Sequence, residues 1–217
     1  MARLSMTPRA RRARAKKVLP LLDELFPAPR CELNHKTPFQ LLAATILSAQ
    51  CTDKRVNIVT PDLFSQYPTI ASLAVAVQED VEAVVHSTGF FRNKARNIIG
   101  AAKGCVENFG SEVPRSMEEL LTLPGVARKT ANVVLGECFG IADGLVVDTH
   151  VIRIGSLLGL HDAGTNAVRI ERELMEVIPE DTWIRFSHQI ILHGRATCIA
   201  RRPKCDECFL AKACPSS

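Results

Sequence analysis

The sequence predicts an all-α protein of two lobes, and three observations carry that prediction. Apolar residues recur at helical spacing along most of the chain. Brief Gly, Pro or Ser breaks separate these runs, which favours sequential helices packed compactly. Four of the eight cysteines then fall within the closing stretch CIARRPKCDECFLAKAC, a site of its own that needs a second lobe around it. At 217 residues with 47% apolar content the chain can build one large domain or two modest ones. It shows no fixed-period repeat, low-complexity linker or apolar run of membrane length.

The elements follow in order. Residues 1–17, MARLSMTPRARRARAKK, hold seven Lys or Arg and no acid, while the whole chain carries only +4. This arm is expected either to attract a polyanion or to be a solvated tail, and its removal is expected to weaken nucleic-acid binding without abolishing chemistry. It is Arg-rich and acid-free like an organellar transit peptide, but short for one. KKVLPLLDELF reads as an amphipathic helix stopped by PAPR. TPFQLLAATILSAQ is apolar nearly all round, with Pro38 suited to a first turn, and predicts a buried helix. DKRVNIVTPDLFSQ, TIASLAVAVQEDVEAVVHS, FRNKARNIIGAAKGCVENF, SMEELLTL, ARKTANVVLGECFG and THVIRIGSLLGL continue the helical pattern. The expected division is a helical domain over residues 31–141, and a second domain built from residues 1–30 and 142–217.

Cys198, Cys205, Cys208 and Cys214 are spaced Cys-x6-Cys-x2-Cys-x5-Cys. No secretory signal is read, so a reducing compartment is expected, the cytoplasm first, with nucleus or organelle open. There, clustered cysteines bind metal far more often than they pair. Cys31, Cys51, Cys105 and Cys138 stand singly and read as small buried residues.

SMEELLTLPGVARKTANVVLGECFG joins two helix patterns through LPGV, too tight a break for an ordinary loop. This is a helix-hairpin-helix pattern. Pro124 stops the first helix, Gly125 permits an unusual backbone angle, and the second helix opens with N–H groups that suit a DNA phosphate. Lys129, just inside that second helix, is on its own a further phosphate contact. Asp148, in VVDTHVIRIG, is on its own a helix N-cap.

LPGVARKTA, followed by VVDTHVIR and by the cysteine tail, resembles the endonuclease III family, bifunctional DNA glycosylases of the helix-hairpin-helix superfamily; the similarity runs from about residue 16 to 214. The resemblance implies a [4Fe–4S] cluster held by Cys198, Cys205, Cys208 and Cys214, where the residues alone leave a four-cysteine zinc site open. It implies that Lys129 is the nucleophile and Asp148 its carboxylate partner. The expected target, by that resemblance, is damaged double-stranded DNA, with oxidised pyrimidines such as thymine glycol as lesions, and the expected enzyme is a monomer without membrane contact. By the same resemblance Gln50 enters the space left by a flipped nucleotide. Phe90 stands where the family usually has a leucine wedge, with a core role equally open to it. Leu123, Gly125, Ala127 and Arg128 form the hairpin's DNA surface, Ala127 replacing a common glycine. The loop IARRPK brings Arg201, Arg202 and Lys204 to phosphates. Thr52, Asp53, His150 and Arg153 match family positions without an assigned chemistry.

Two rival readings share parts of this pattern. A mismatch adenine glycosylase usually has serine at the position of Lys129, a catalytic glutamate at that of Thr45, and a further C-terminal domain. A noncatalytic iron–sulfur DNA-binding protein would lack Lys129 or Asp148, and both are present.

Overall fold

The computed structural model describes residues 7–217, and among them there is no strand. Eleven α-helices follow one another: α1 (Pro8–Leu25), α2 (Pro38–Leu47), α3 (Asp53–Gln66), α4 (Ile70–Ala74), α5 (Gln78–Val85), α6 (Phe91–Asn108), α7 (Met117–Leu120), α8 (Arg128–Phe139), α9 (Thr149–Leu157), α10 (Ala167–Met175) and α11 (Trp183–Ala196). The all-α expectation holds. The run read as one helix from Thr69 to Ser87 is two, because the turn around Ala76 and Val77 interrupts it. Helices α10 and α11 were not anticipated.

The chain divides into two compact units, Cys31–Asp143 and a discontinuous one of Met1–Arg30 with Gly144–Ser217. In the first, α2 is buried along its whole length and packs on α3, α6 and α8. Thr37 caps it and Pro38 opens it, a first turn where the missing N–H costs nothing. Leu41, Leu42, Leu47, Ile98, Leu120 and Leu135 are among the fully buried side chains of this core.

In the discontinuous unit, α1 packs on α11 and on the single 3-10 turn Ala211–Ala213. From residue 7 onward the basic arm is therefore a packed helix and not a tail, with Arg9, Arg12, Lys16 and Lys17 exposed on it; residues 1–6 lie outside the described residues. Thr7 caps α1 and Pro8 starts it. Arg11 is buried and pairs with Asp162 at 2.8 Å and Glu173 at 2.9 Å. Arg12 donates to the Glu176 carbonyl at 3.1 Å, and Arg14 to the Ala213 carbonyl at 2.9 Å. Helix α1 thus ties the start of the chain to the segment around Cys214. None of the helices is long and apolar enough to cross a membrane, among the described residues.

Candidate functional site

Thr7, Thr37, Thr52, Thr69, Ser116, Asp148 and Asn166 each cap a helix with a side-chain oxygen. Helix α8, like α5, α6 and α11, has no such cap. Its N-cap is Ala127, whose methyl group offers nothing to the first-turn N–H groups, those of Lys129 and Thr130 included. A helix start left this way carries partial positive charge and unmet donors, the two ingredients of an anion site. Lys129 is exposed at this point. Arg128 is half-buried and reaches Asp143 at 3.6 Å, a solvent-screened pair.

The hairpin before α8 is built by close approach to α6. Gly125 has φ +77°, a left-handed angle that glycine adopts without strain, and a Cβ there would lie 2.7 Å from the Asn97 Cβ. Pro124 sits on Gly100 and Leu123 on Gly104, where added methyls would meet ring and side-chain carbons at 3.0 and 2.7 Å. Leu123 is buried and its N–H donates to the Leu120 carbonyl, so its work is to seat the turn. Asn97, Gly100 and Gly104 were not singled out from sequence. Glycines four apart in α6 were the available signal, but only the packing tells which helix they receive.

Gln50 and Phe90 belong to the same unit. Both are exposed, and both are non-glycine residues with positive φ, +52° and +49°. Phe90 is 66% exposed, so it is not a core residue. Phe91 beside it packs on the His86 ring, 4.4 Å between centroids. A side chain in the left-handed region costs about 1–2 kcal/mol, and such residues collect at functional sites.

In the discontinuous unit Asp148 caps α9, its Oδ1 accepting from the Val151 N–H at 2.8 Å. Oδ2 has no partner among the described residues. The segment before it is docked by the Val146 N–H on the Ser187 hydroxyl at 3.2 Å. One and a half turns along α9, Arg153 donates to Cys198 twice, to its Sγ at 3.4 Å and its carbonyl at 2.6 Å.

Cys198, Cys205, Cys208 and Cys214 line one cavity of about 100 Å³, closed by Ile154, Leu158 and Leu210. Burial pushes the Cys208 thiol up; the Leu210 backbone opposes this, and the charges of Cys198, Cys214 and Cys205 add to it. His193 lies 3.8 Å from the Cys208 sulfur, and burial, then Arg153, pushes its imidazole down. Among the described residues no three His, Cys, Asp or Glu are grouped as for a single ion. The four thiols instead surround a cavity, an all-sulfur donor set in an apolar wall that fits a polynuclear iron–sulfur group. Between the first two cysteines, Arg201, Arg202 and Lys204 are exposed; the Lys204 N–H closes the loop on the Thr197 carbonyl at 3.0 Å.

The family model for HhH-GPD superfamily base excision DNA repair proteins matches residues 43–180. The chain is 57% identical over 208 residues to an endonuclease III of Synechocystis sp., covering 96% of this chain and 94% of that one. It superposes on a solved non-covalent complex of endonuclease III with DNA at a TM-score of 0.89, with 40% identity over 94% of this chain and 95% of the other. A trapped covalent endonuclease III–DNA intermediate is similar at 0.88, with 39% identity over 97% of each chain. The uncapped hairpin helix, the two left-handed turns and the four-thiol cavity thus stand on the fold of known repair proteins, and the chain belongs to the endonuclease III family of the HhH-GPD superfamily.

Proposed function

We infer that this chain is a bifunctional DNA glycosylase and AP lyase of base excision repair, acting on oxidised pyrimidines such as thymine glycol in double-stranded DNA. The observation that carries the reading is Lys129 at the start of an uncapped hairpin helix, where a phosphate-binding end and an amine nucleophile are one residue apart.

Phosphate oxygens take the free N–H groups of α8, and Gly125 lets the backbone come close. The damaged nucleotide leaves the stack, at a cost of a few kcal/mol that is lowest for a poorly stacked base. Gln50 and Phe90 occupy the space it vacates. The Lys129 amine attacks C1′, the bond from C1′ to the base breaks, and the base leaves with the electron pair and is protonated. Asp148 uses Oδ1 to cap α9 and keeps Oδ2 for the reaction, accepting the ammonium proton or stabilising positive charge on the sugar. Loss of a second proton from nitrogen and opening of the sugar ring leave a protonated imine. That imine is the electron sink for removal of the C2′ proton, and the 3′ C–O bond then breaks by β-elimination.

Arg201, Arg202 and Lys204 add phosphate contacts that release counterions. Cys198, Cys205, Cys208 and Cys214 would hold a [4Fe–4S] cluster, which when bound would cross-link four points of the C-terminal segment. The protein works as a monomer in the cytoplasm, where the chromosome of a bacterial cell lies.

The test is borohydride reduction on duplexes carrying thymine glycol or an abasic site. The expected outcome is a covalent protein–DNA product that Lys129→Ala abolishes while lesion binding persists. Trapping by the Lys129→Ala variant would assign the nucleophile elsewhere. Activity on abasic sites alone would leave a lyase without glycosylase function.

A further inference from the structure

Lys94 is a lysine that the reaction above does not use, and it is 4% exposed. It lies one turn into α6 with its Nζ donating to the Thr88 carbonyl at 2.7 Å. Among the described residues no carboxylate pairs with it. Burial pushes its amine below the ordinary lysine value, and the nearby Cys51 sulfur acts in the opposite sense. A cation held inside the protein on a single backbone carbonyl is costly, so what that carbonyl belongs to matters.

Thr88 leads into a tight turn. Gly89 and Phe90 follow it with consecutive positive φ angles, +72° and +49°. Lys94 grips this turn from both sides: its side chain holds Thr88 O, and its backbone N–H donates to Phe90 O at 3.1 Å. The 3-10 turn His86–Thr88 also packs on α3, the helix that starts just after Gln50 and Cys51. Cys51 adjoins Gln50, a second exposed residue held at positive φ.

We propose that Lys94 is a positioning residue that locks the Gly89–Phe90 turn in the conformation that fills the space of an extruded nucleotide. The proposal rests on the reading of Phe90 given above. Lys94 touches neither substrate nor reacting atoms; it acts through Phe90. Its effect belongs to the step in which a paired, stacked base is displaced. An abasic site has no base to extrude and makes little demand on the lock.

Lys94→Met keeps the buried stem and removes the ammonium. In single-turnover reactions its thymine glycol excision is expected to fall about tenfold or more, with strand cleavage at a preformed abasic site within about twofold of wild type. Lys94→Arg, which restores a cationic donor, is expected to recover most of the excision. Phe90→Ala is expected to slow excision in the Lys94 protein and to add little in the Lys94→Met protein, since the two act as one unit. All rates are read below the melting temperature of each variant, and Lys94→Gln replaces Lys94→Met if the latter does not fold. Equal loss on both substrates, no loss of excision, or additive effects of Lys94→Met and Phe90→Ala would overturn the role of Lys94. Wild-type excision by Phe90→Ala would instead overturn the reading of Phe90 as a gap-filling residue.

Discussion

Asp148 caps α9 through Oδ1, and the proposed reaction gives it a second job on Oδ2 that substitution can separate from the first. Asparagine caps a helix about as well as aspartate, so Asp148→Asn should keep the bond to the Val151 N–H and melt close to wild type. Its base excision should nevertheless fall by orders of magnitude, because the carboxylate charge is gone. Asp148→Ala should lose both, adding a stability loss of about 0.5–2 kcal/mol for the missing cap. Thermal melts beside single-turnover excision make the comparison, and wild-type rates for Asp148→Asn would reduce the residue to a cap. The place of Lys129 at a hairpin helix start and the cap role of Asp148 were legible in the sequence, because Pro-Gly before one and a new helix after the other have a local meaning; their joint chemistry was implied only by the family resemblance. Lys94 was legible in neither way. In the sequence it is one more cation in FRNKARN, and only the fold shows that this one is turned inward while Arg92 and Arg96 remain exposed.

Among the elements, α8 follows an N-cap, Ala127, that offers no side-chain acceptor. Ala127→Asp would supply a side-chain acceptor to the first-turn N–H groups, stabilising the free protein by about 1 kcal/mol. It would also set an anion where a phosphate is to bind. The expected outcome is a higher melting temperature with weaker DNA binding, and a slope of log affinity against log salt shallower by about 0.9, as one phosphate fewer is neutralised. Titrations at several salt concentrations read both affinity and slope. The hairpin could be predicted from Pro124 and Gly125, but its seat on Asn97, Gly100 and Gly104 could not, since helical periodicity marks a buried face without naming what is buried against it. Helix α1 is the opposite case: a run of arginines suggested a solvated arm, and the acids that receive Arg11 lie at 162 and 173, far outside any local window.

For the whole molecule, that pairing makes the first residues structural. Deleting residues 1–15 removes Arg11 and Arg14, leaves buried Glu173 short of a partner, and frees the Ala213 carbonyl beside Cys214. A buried charge left alone costs about 3–5 kcal/mol, and Glu173, which keeps Arg169 at 3.0 Å, incurs part of that. The truncated protein should therefore melt markedly lower and purify with well under four irons per chain, with activity lost along with the fold; iron analysis and thermal melts test this. Full iron content and an unchanged melt would return α1 to the status of a dispensable arm. The division into units also sets an order of assembly during synthesis. The Cys31–Asp143 unit is continuous and can close as soon as it has emerged from the ribosome, whereas α1, made before that unit, has to wait for Asp162, Glu173 and α11. An apolar helix left waiting would invite aggregation; Arg11, Arg12, Arg14, Lys16 and Lys17 keep this one hydrated until its partners are translated, so that a helix synthesised early is among the last to be fixed in place.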